Sequence, residues 1–488
     1  MTKKIKTILI TPPSSLEARY GKDLKKFGAT SEPLGLAYLA ANLEKHNFQV
    51  SIIDSIALEW GINEIVDNFK KEAPDLIGIT VLTPAYEIAK NLIIKIKEEL
   101  PNCKIIIGGA HATALAKESL LDIKELDYVC VGEGENTIVD LVKFLSDELP
   151  LAQIDGLVYR GEKEEIIFNQ PRKFETNLDN FPPPAIHLLP MDKYKLTASR
   201  VKGPGFCPTL IIARGCPFNC AFCSHPFGRS FRHHSTERIL SELTELINKY
   251  QVSQVNFEAD TLTVNKKFLI DLCQALIDKG YNKIISWTCE SRVDTVDEEL
   301  LKKMREAGCW QISYGVESGV QRLLDLINKG IKIEKIEKVF ETTKKIGITI
   351  RGFFMLGLPT ETTEESWQTI NFAKKLDPLW AQFTLTTPYP GTPLFEMLKS
   401  QNKIRTFNWS YYNTWAGWAG KEIPFVPDGR TYEELKTLQK RALISFYLRP
   451  KPILRFVRQI DSWAAFKKYF SGFLVLIKNK IFPEKIKI

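Results

Sequence analysis

Three cysteines in one short segment offer the most definite chemistry in the chain. In Arg214-Gly215-Cys216-Pro217-Phe218-Asn219-Cys220-Ala221-Phe222-Cys223 they are separated by three and then two residues. Three thiolates on one loop can hold three irons of a cubane [4Fe–4S] cluster and leave the fourth iron without a protein ligand. An open metal position can chelate the amino and carboxylate groups of a small molecule. Two blander readings exist. A zinc knot would need a fourth ligand, which His225, His233 or His234 could supply, and three inert core cysteines would need no metal at all. The spacing, and the apolar run that directly precedes the loop, weigh against both.

That apolar run, 209–213, opens a series. Further candidate strands lie at 254–258, 284–289, 310–315, 348–354 and 380–385, each followed by a helical pattern. Thr295 with Glu298 and Thr362 with Glu365 read as capping boxes, and Gly280, Gly308 and Gly347 stand where helices should stop. Six βα units predict a curved, partly open barrel with its active site at the carboxyl ends of the strands. Residues 5–147 form an earlier series, with apolar runs at 5–11, 49–54, 75–81, 103–109 and 127–132 separated by amphipathic stretches. This pattern predicts a doubly wound, Rossmann-like α/β sheet, whose ligands bind beyond the strand ends. Those ends carry Pro12, Thr83, Gly108, Gly109, His111, Gly132, Glu133 and Gly134. Between the two series, 148–206 is proline-rich and reads as a linker with a small hairpin at 156–168. Residues 400–488 are aromatic and basic, with helical patterns at 431–448 and 453–480.

With 488 residues, 44% hydrophobic and 25% charged, the chain has an ordinary globular balance and room for two or three domains. The basic opening before a short apolar run reads as a first strand, not a secretion signal, and no apolar stretch reaches spanning length. Nine cysteines in such a chain point to reduced thiols or metal ligands, and so to the cytoplasm. Cys103, Cys130, Cys207, Cys273, Cys289 and Cys309 read as small core hydrophobes, with Cys207 and Cys289 to be checked for closeness to the loop. The net charge of +8 resides in residues 449–488, which hold ten Lys or Arg against two acids. A basic tail on a neutral body suggests an anionic surface and argues against a nucleic-acid binder. Leu454, Phe456, Val457, Trp463, Phe466, Tyr469 and Phe470 alternate there with basic residues, as in a helix lying at a membrane surface. The plainer reading is a helix packed on the barrel as a lid.

The cysteine loop after the first strand of a six-unit barrel resembles the radical S-adenosylmethionine superfamily, over about residues 200–400. The resemblance implies a [4Fe–4S] cluster on Cys216, Cys220 and Cys223, with S-adenosylmethionine on its open iron. It implies Phe222 near the adenine, and Glu258, Asp260, Ser291, Arg292 and Glu317 at the strand ends as cofactor-binding residues. It also implies an external electron donor of flavodoxin or ferredoxin type. The preceding doubly wound domain resembles the cobalamin-binding domain of one class of that superfamily, through Pro33 to Ala40, Gly108 to Thr113 and Val131 to Glu135. Residues 1–147 are then the cobalamin domain, 148–206 the linker, 207–399 the partial barrel and 400–488 a mainly helical region. One feature departs from the pattern: the Asp-x-His-x-x-Gly motif that puts a His on cobalt is missing, and His111 reads as a tail or backbone contact. The activity implied is reductive cleavage of S-adenosylmethionine to a 5′-deoxyadenosyl radical. That radical activates an unactivated C–H bond for cobalamin-assisted methyl transfer, rearrangement or cyclisation of a lipid, porphyrin or other small molecule. An iron–sulfur electron carrier and a non-catalytic corrinoid sensor are the rivals from other classes. The expected place is the cytoplasm or the inner face of the membrane.

Overall fold

The computed structural model describes residues 4–197, 199–202, 206–458 and 463–481. The amino-terminal sheet has seven strands, β1 (Lys6–Thr11), β2 (Gln49–Asp54), β3 (Leu76–Thr80), β4 (Lys104–Gly108), β5 (Tyr128–Cys130), β6 (Leu157–Arg160) and β7 (Ile166–Phe168). Their order is β2-β1-β3-β4-β5-β6-β7. The first five are parallel, and β6 and β7 are antiparallel additions beside β5. The hairpin expected in the linker therefore forms and belongs to this sheet. Ile77, Ile79, Ile105 and Ile107 face helices 62–72 and 86–99, while Leu9 and Ile52 face helix 34–45. Burial on both faces is why these strands read as unbroken apolar runs. Strand order reverses between β1 and β3, so a ligand crevice opens at the ends Thr11 to Pro12 and Thr80 to Thr83.

The second sheet holds β8 (Thr209–Ile211), β9 (Gln254–Glu258), β10 (Ser286–Ser291), β11 (Cys309–Glu317), β12 (Thr349–Leu356) and β13 (Trp380–Leu385). All six are parallel and paired in chain order, the expected partial barrel. Val255, Phe257, Trp287, Cys289, Ile312, Ile350 and Phe383 face outward into one core with the helices. Their sequence neighbours Glu258, Glu290, Arg351, Phe353, Gln382 and Thr384 face the lumen and keep accessible surface. The lumen is thus lined mostly by polar side chains.

Helix starts follow local chemistry. The Thr362–Glu365 capping box forms as expected. The expected box at Thr295 does not. Helix 298–306 is capped by Asp297, whose Oδ1 accepts from Leu300 N at 2.9 Å, while Thr295 ends a short turn and donates to Arg292 O. Asp ranks above Thr as a cap and stands one residue before the helix. Gly308, at φ +98° between that helix and β11, would place a Cβ 2.9 Å from Ile285 O.

The carboxyl-terminal region contains helices 416–419, 432–447, 450–458 and 463–481. Helix 432–447 covers the free edge of β13. Tyr447 Oη bonds both Ala381 N and Ala381 O at 2.9 Å, and Gln439 Nε2 donates to Phe383 O at 3.0 Å. Paired in this way, the edge is not left open to another chain. Among the described residues no helix is long and apolar enough to cross a membrane.

Candidate functional site

The cysteine loop is held from every side by backbone. Gly215 has φ +88°, and a Cβ there would sit 2.1 Å from Ser230 O, so only glycine admits the turn. Its N–H donates to Asp260 Oδ2 at 2.7 Å. Cys216 N reaches Gly228 O, Ala221 N reaches Ile327 O, and Ala221 O receives Leu394 N. Cys220 is buried, Cys216 half-buried and Cys223 exposed. The Cys223 thiol is pushed up to about 12, first by the protein around it and then by Cys220 and Cys216, so the three sulfurs share one neighbourhood. Arg292 Nη1 donates to Cys220 Sγ at 3.2 Å while its guanidinium lies 3.7 Å from the Phe218 ring centre. Arg292 thus touches one candidate ligand and stacks on an aromatic residue of the same loop.

Of the three histidines that could complete a zinc site, His234 is tied to Asp179 at 2.8 Å and His233 stacks on Phe268 at 3.9 Å, while His225 stands near Asp260 with its Nε2 buried and without a hydrogen-bond partner. Among the described residues no group of three His, Cys, Asp or Glu, the three loop cysteines included, is gathered at metal-ligand distance, and Cys223 Sγ leans on Ser224 O at 3.5 Å. Three soft thiolate donors on one loop suit iron–sulfur ligation. Cys289 packs with Cys273 and Cys309 in the barrel core, and Cys207 is a buried thiol facing Glu32 and Arg200.

The barrel strand ends gather most of the expected side chains beside the loop. Phe222 packs against Ile327, Met355 and Leu394. Glu317, with φ +66°, forms a buried 2.8 Å ion pair with Lys329, whose Nζ lies 5.6 Å from the Phe222 ring. Lys329 was not singled out from sequence, because only the fold brings residue 329 back to 317. Its carbonyl also accepts from Arg292 Nη2 at 2.6 Å, which ties the two cationic residues together. Glu258 accepts from Asn256 Nδ2 at 2.9 Å, and burial, then Glu290, raises its carboxyl to about 7. Asp260 is held by Gly215, as above. Ser291 is spent within the barrel, bonded to Thr263 Oγ1 at 2.6 Å and to Arg292 O.

On the other sheet two expectations need correction. His111 is 1% exposed, closed in by Tyr86 at 4.3 Å and Trp409 at 5.1 Å, with Nδ1 on Thr83 Oγ1 at 3.3 Å. Burial lowers it to about 4, so its ring is neutral and sits in the core rather than standing free at the strand end. Thr83 is buried as its partner. Glu133, also expected at the cofactor, is instead buried among arginines. Its Oε1 accepts from Arg214 and Arg232 at 3.1 and 3.0 Å, and its Oε2 from Arg232 at 3.0 Å and Glu175 N at 3.2 Å. Pro12 is buried at the end of β1. A flat surface remains. Gly108 and Gly109 lack side chains, Gly132 faces open space, and Leu82 at the end of β3 is 60% exposed. Bare backbone and one apolar side chain at the crevice suit a broad planar group such as a corrin. Trp409, which seals this edge from the far end of the chain, was not legible in sequence as part of it.

Residues 23–142 match the model of the B12 binding domain, and residues 210–373 that of the Radical SAM superfamily. An uncharacterized methyltransferase of Pyrococcus horikoshii is 39% identical over 458 residues, covering 93% of this chain and 95% of that one. The chain belongs to the cobalamin-binding radical S-adenosylmethionine family. Its cofactors are the [4Fe–4S] cluster, S-adenosylmethionine and cobalamin. The anaerobic magnesium-protoporphyrin IX monomethyl ester cyclase of Cereibacter sphaeroides is 29% identical over 78% of this chain and 62% of its own length. In fold, the chain resembles the methyltransferase TsrM of Kitasatospora setae, with a TM-score of 0.68, 15% identity and coverage of 92% of this chain and 90% of that one. It likewise resembles the cobalamin-dependent enzyme OxsB, with a TM-score of 0.72, 18% identity and coverage of 99% and 74%.

In this radical S-adenosylmethionine enzyme the arginine before the cysteine loop joins the two cofactor domains. Arg214 pairs with Glu133 and with Glu135 at 2.7 Å, all three nearly inaccessible to solvent. Removing one member of a buried ion pair costs about 3–5 kcal/mol, because it strands the other charge. Arg214→Leu is expected to lower the unfolding midpoint and the iron retained after reconstitution together. A variant with wild-type melting and iron content would remove the network from the loop's support.

Glu258 makes stability depend on pH. A carboxyl at about 7 in the fold and 4.5 outside it keeps a proton that the unfolded chain releases, so stability falls as pH rises through that window. Glu258→Gln in the ligand-free protein should remove a loss of on the order of 3 kcal/mol between those limits. Parallel pH profiles of urea unfolding for both proteins would contradict the assignment.

Proposed function

We propose that this enzyme transfers a methyl group to an unactivated carbon of a small-molecule substrate held between its two sheets. One observation carries the reading: the carboxyl ends of both sheets meet. Glu133, beyond β5, grips Arg214 beyond β8, and a Cβ on Gly391, beyond β13, would lie 2.9 Å from Ala114, beyond β4. Cofactors bound at the two strand ends therefore share one space. When bound, the cluster and S-adenosylmethionine supply a 5′-deoxyadenosyl radical that takes hydrogen from carbon, and cobalamin supplies a transferable methyl. The protein's own tasks are positioning and exclusion of water. Lys329 offers its ammonium to a carboxylate on the open iron, Glu258 and Asp260 offer oxygens to an amine, and Phe222 offers a ring to adenine. Trp409 closes the edge above His111. The methyltransferase name of the Pyrococcus horikoshii relative supports transfer over cyclisation.

The test is anaerobic incubation with trideuteromethyl-labelled S-adenosylmethionine and a reducing system supplied by an external electron donor. The expected products are 5′-deoxyadenosine and a substrate carrying the intact labelled methyl. An unlabelled product that has lost hydrogen would replace methyl transfer by cyclisation.

We further propose that the carboxyl-terminal helices rest on an anionic membrane. One face of these helices packs on the body. Phe456 stacks near Trp380, Arg449 and Arg455 bind Asp377, Val475 and Leu476 join the barrel core, and Lys478 meets Asp23. The other face leaves Leu454, Val457, Phe470 and Leu474 about half exposed beside Lys451 and Arg458. The side chains of Trp463 and Tyr469, and residues 459–462 and 482–488, lie outside what is described. Each Lys or Arg near an anionic membrane adds about 1 kcal/mol. The full chain should float with anionic vesicles at low salt, and Leu454→Glu with Leu474→Glu should abolish flotation. Equal flotation of both proteins, or none by either, would leave these helices as a lid only.

A further inference from the structure

Several buried polar atoms without a hydrogen-bond partner lie on one side of one sheet. They are Gln254 Nε2, both amide atoms of Gln311, and Arg351 Nη1. All belong to barrel strands, and their neighbours Val255, Ile312 and Ile350 point outward into the core, so these side chains face the lumen, near the amino ends of β9, β11 and β12. Strand register sets Glu290, Ser313 and Arg351 in one row across β10, β11 and β12, with Thr288, Gln311 and Thr349 in the row below. Arg351 Nη2 donates to Gln382 Oε1 at 2.6 Å, and the guanidinium lies 4.8 Å from the Phe353 ring centre. Around it stand Arg200, Glu290, Tyr447 and Tyr20, and burial, then Arg200, lowers it to about 10. The nearby Glu290 is already taken by Arg200 Nη2 at 2.9 Å. The lumen therefore holds a guanidinium with a spare donor and no acid of its own, beside an amide with a spare donor and acceptor. Buried polar atoms in folded proteins are satisfied, and the group missing from the chain is one a ligand can bring. A planar guanidinium is suited to a carboxylate or a phosphate.

We propose that the barrel lumen is an anion subsite, in which Arg351, assisted by Gln311, holds the acidic head group of the substrate. The proposal rests on the reading that the substrate enters between the sheets, and it names the substrate's class as a carboxylic or phosphoric acid. Arg351 is thereby a specificity-determining residue that touches substrate away from the reacting carbon.

The reconstituted enzyme would be titrated separately with inorganic phosphate and with propionate, each observed by ligand NMR. Saturable binding of one probe is expected, and which one binds tells phosphoric from carboxylic acid. Loss of one charged hydrogen-bond partner should weaken it about tenfold or more in Arg351→Gln. Arg351→Lys should restore part of it, which a purely structural role would not produce. Gln311→Leu, which leaves the cation in place, gives a second reading if Arg351→Gln melts early. Absence of binding by both probes, or equal binding by wild type and the Arg351 and Gln311 variants, would overturn the subsite. Formation of 5′-deoxyadenosine by the same wild-type preparation is scored separately, so failure here and failure of the functional reading are told apart.

Discussion

One buried carboxylate ties the two sheets together beside the cysteine loop. Glu133 leaves the end of a strand in the cobalamin domain and is gripped by Arg214 and Arg232 on either side of the cysteine loop. Taking these charges out of water is expensive, and the attraction between them offsets that cost only because every oxygen is met: two guanidinium groups and the Glu175 amide on Glu133, and Glu135 on Arg214. The Tyr38, Phe181 and Phe227 rings, with centres 5.0–5.5 Å from the Arg214 guanidinium, keep water away. Such a network contributes less to raw stability than to register. Arg214 stands two residues before Cys216, and Gly215 between them admits no side chain, so the position of the first sulfur is tied to the end of the neighbouring sheet.

The two faces of the barrel are unlike. Outward residues pack against helices and are mostly apolar. Inward residues are mostly polar: Asn256, Thr288, Gln311 and Ser313 are buried, while Glu258, Glu290, Arg351 and Gln382 keep some accessible surface. Some satisfy each other, as Asn256 does for Thr288 at 2.8 Å and for Glu258. Others are left over.

Much of this was legible in the sequence. The cysteine spacing, the eleven apolar runs and the Thr362 box are local signals, and local signals survive folding. The misreadings share a cause. A residue at a strand end reads alike whether it turns to a ligand or to a neighbouring domain. Glu133 turned to Arg214, and His111 turned inward beneath Tyr86 and Trp409. Thr295 lost its cap to Asp297 because two adequate caps stood two residues apart. Lys329 and Trp409 were illegible because their roles exist only through contacts with Glu317 and His111, and no periodicity in sequence encodes such a meeting. The carboxyl-terminal helices were visible as helices, but which face they bury depends on Asp377, Trp380 and Asp23 far away in the chain.

Whether Cys216, Cys220 and Cys223 hold a cluster whose fourth iron is open to S-adenosylmethionine is decided by the electron paramagnetic resonance spectrum of the reduced, reconstituted protein before and after S-adenosylmethionine is added. A cluster signal whose g values move on addition is expected, and no such signal in Cys220→Ala. A wild-type signal indifferent to S-adenosylmethionine, or one that persists unchanged in Cys220→Ala, would contradict that assignment.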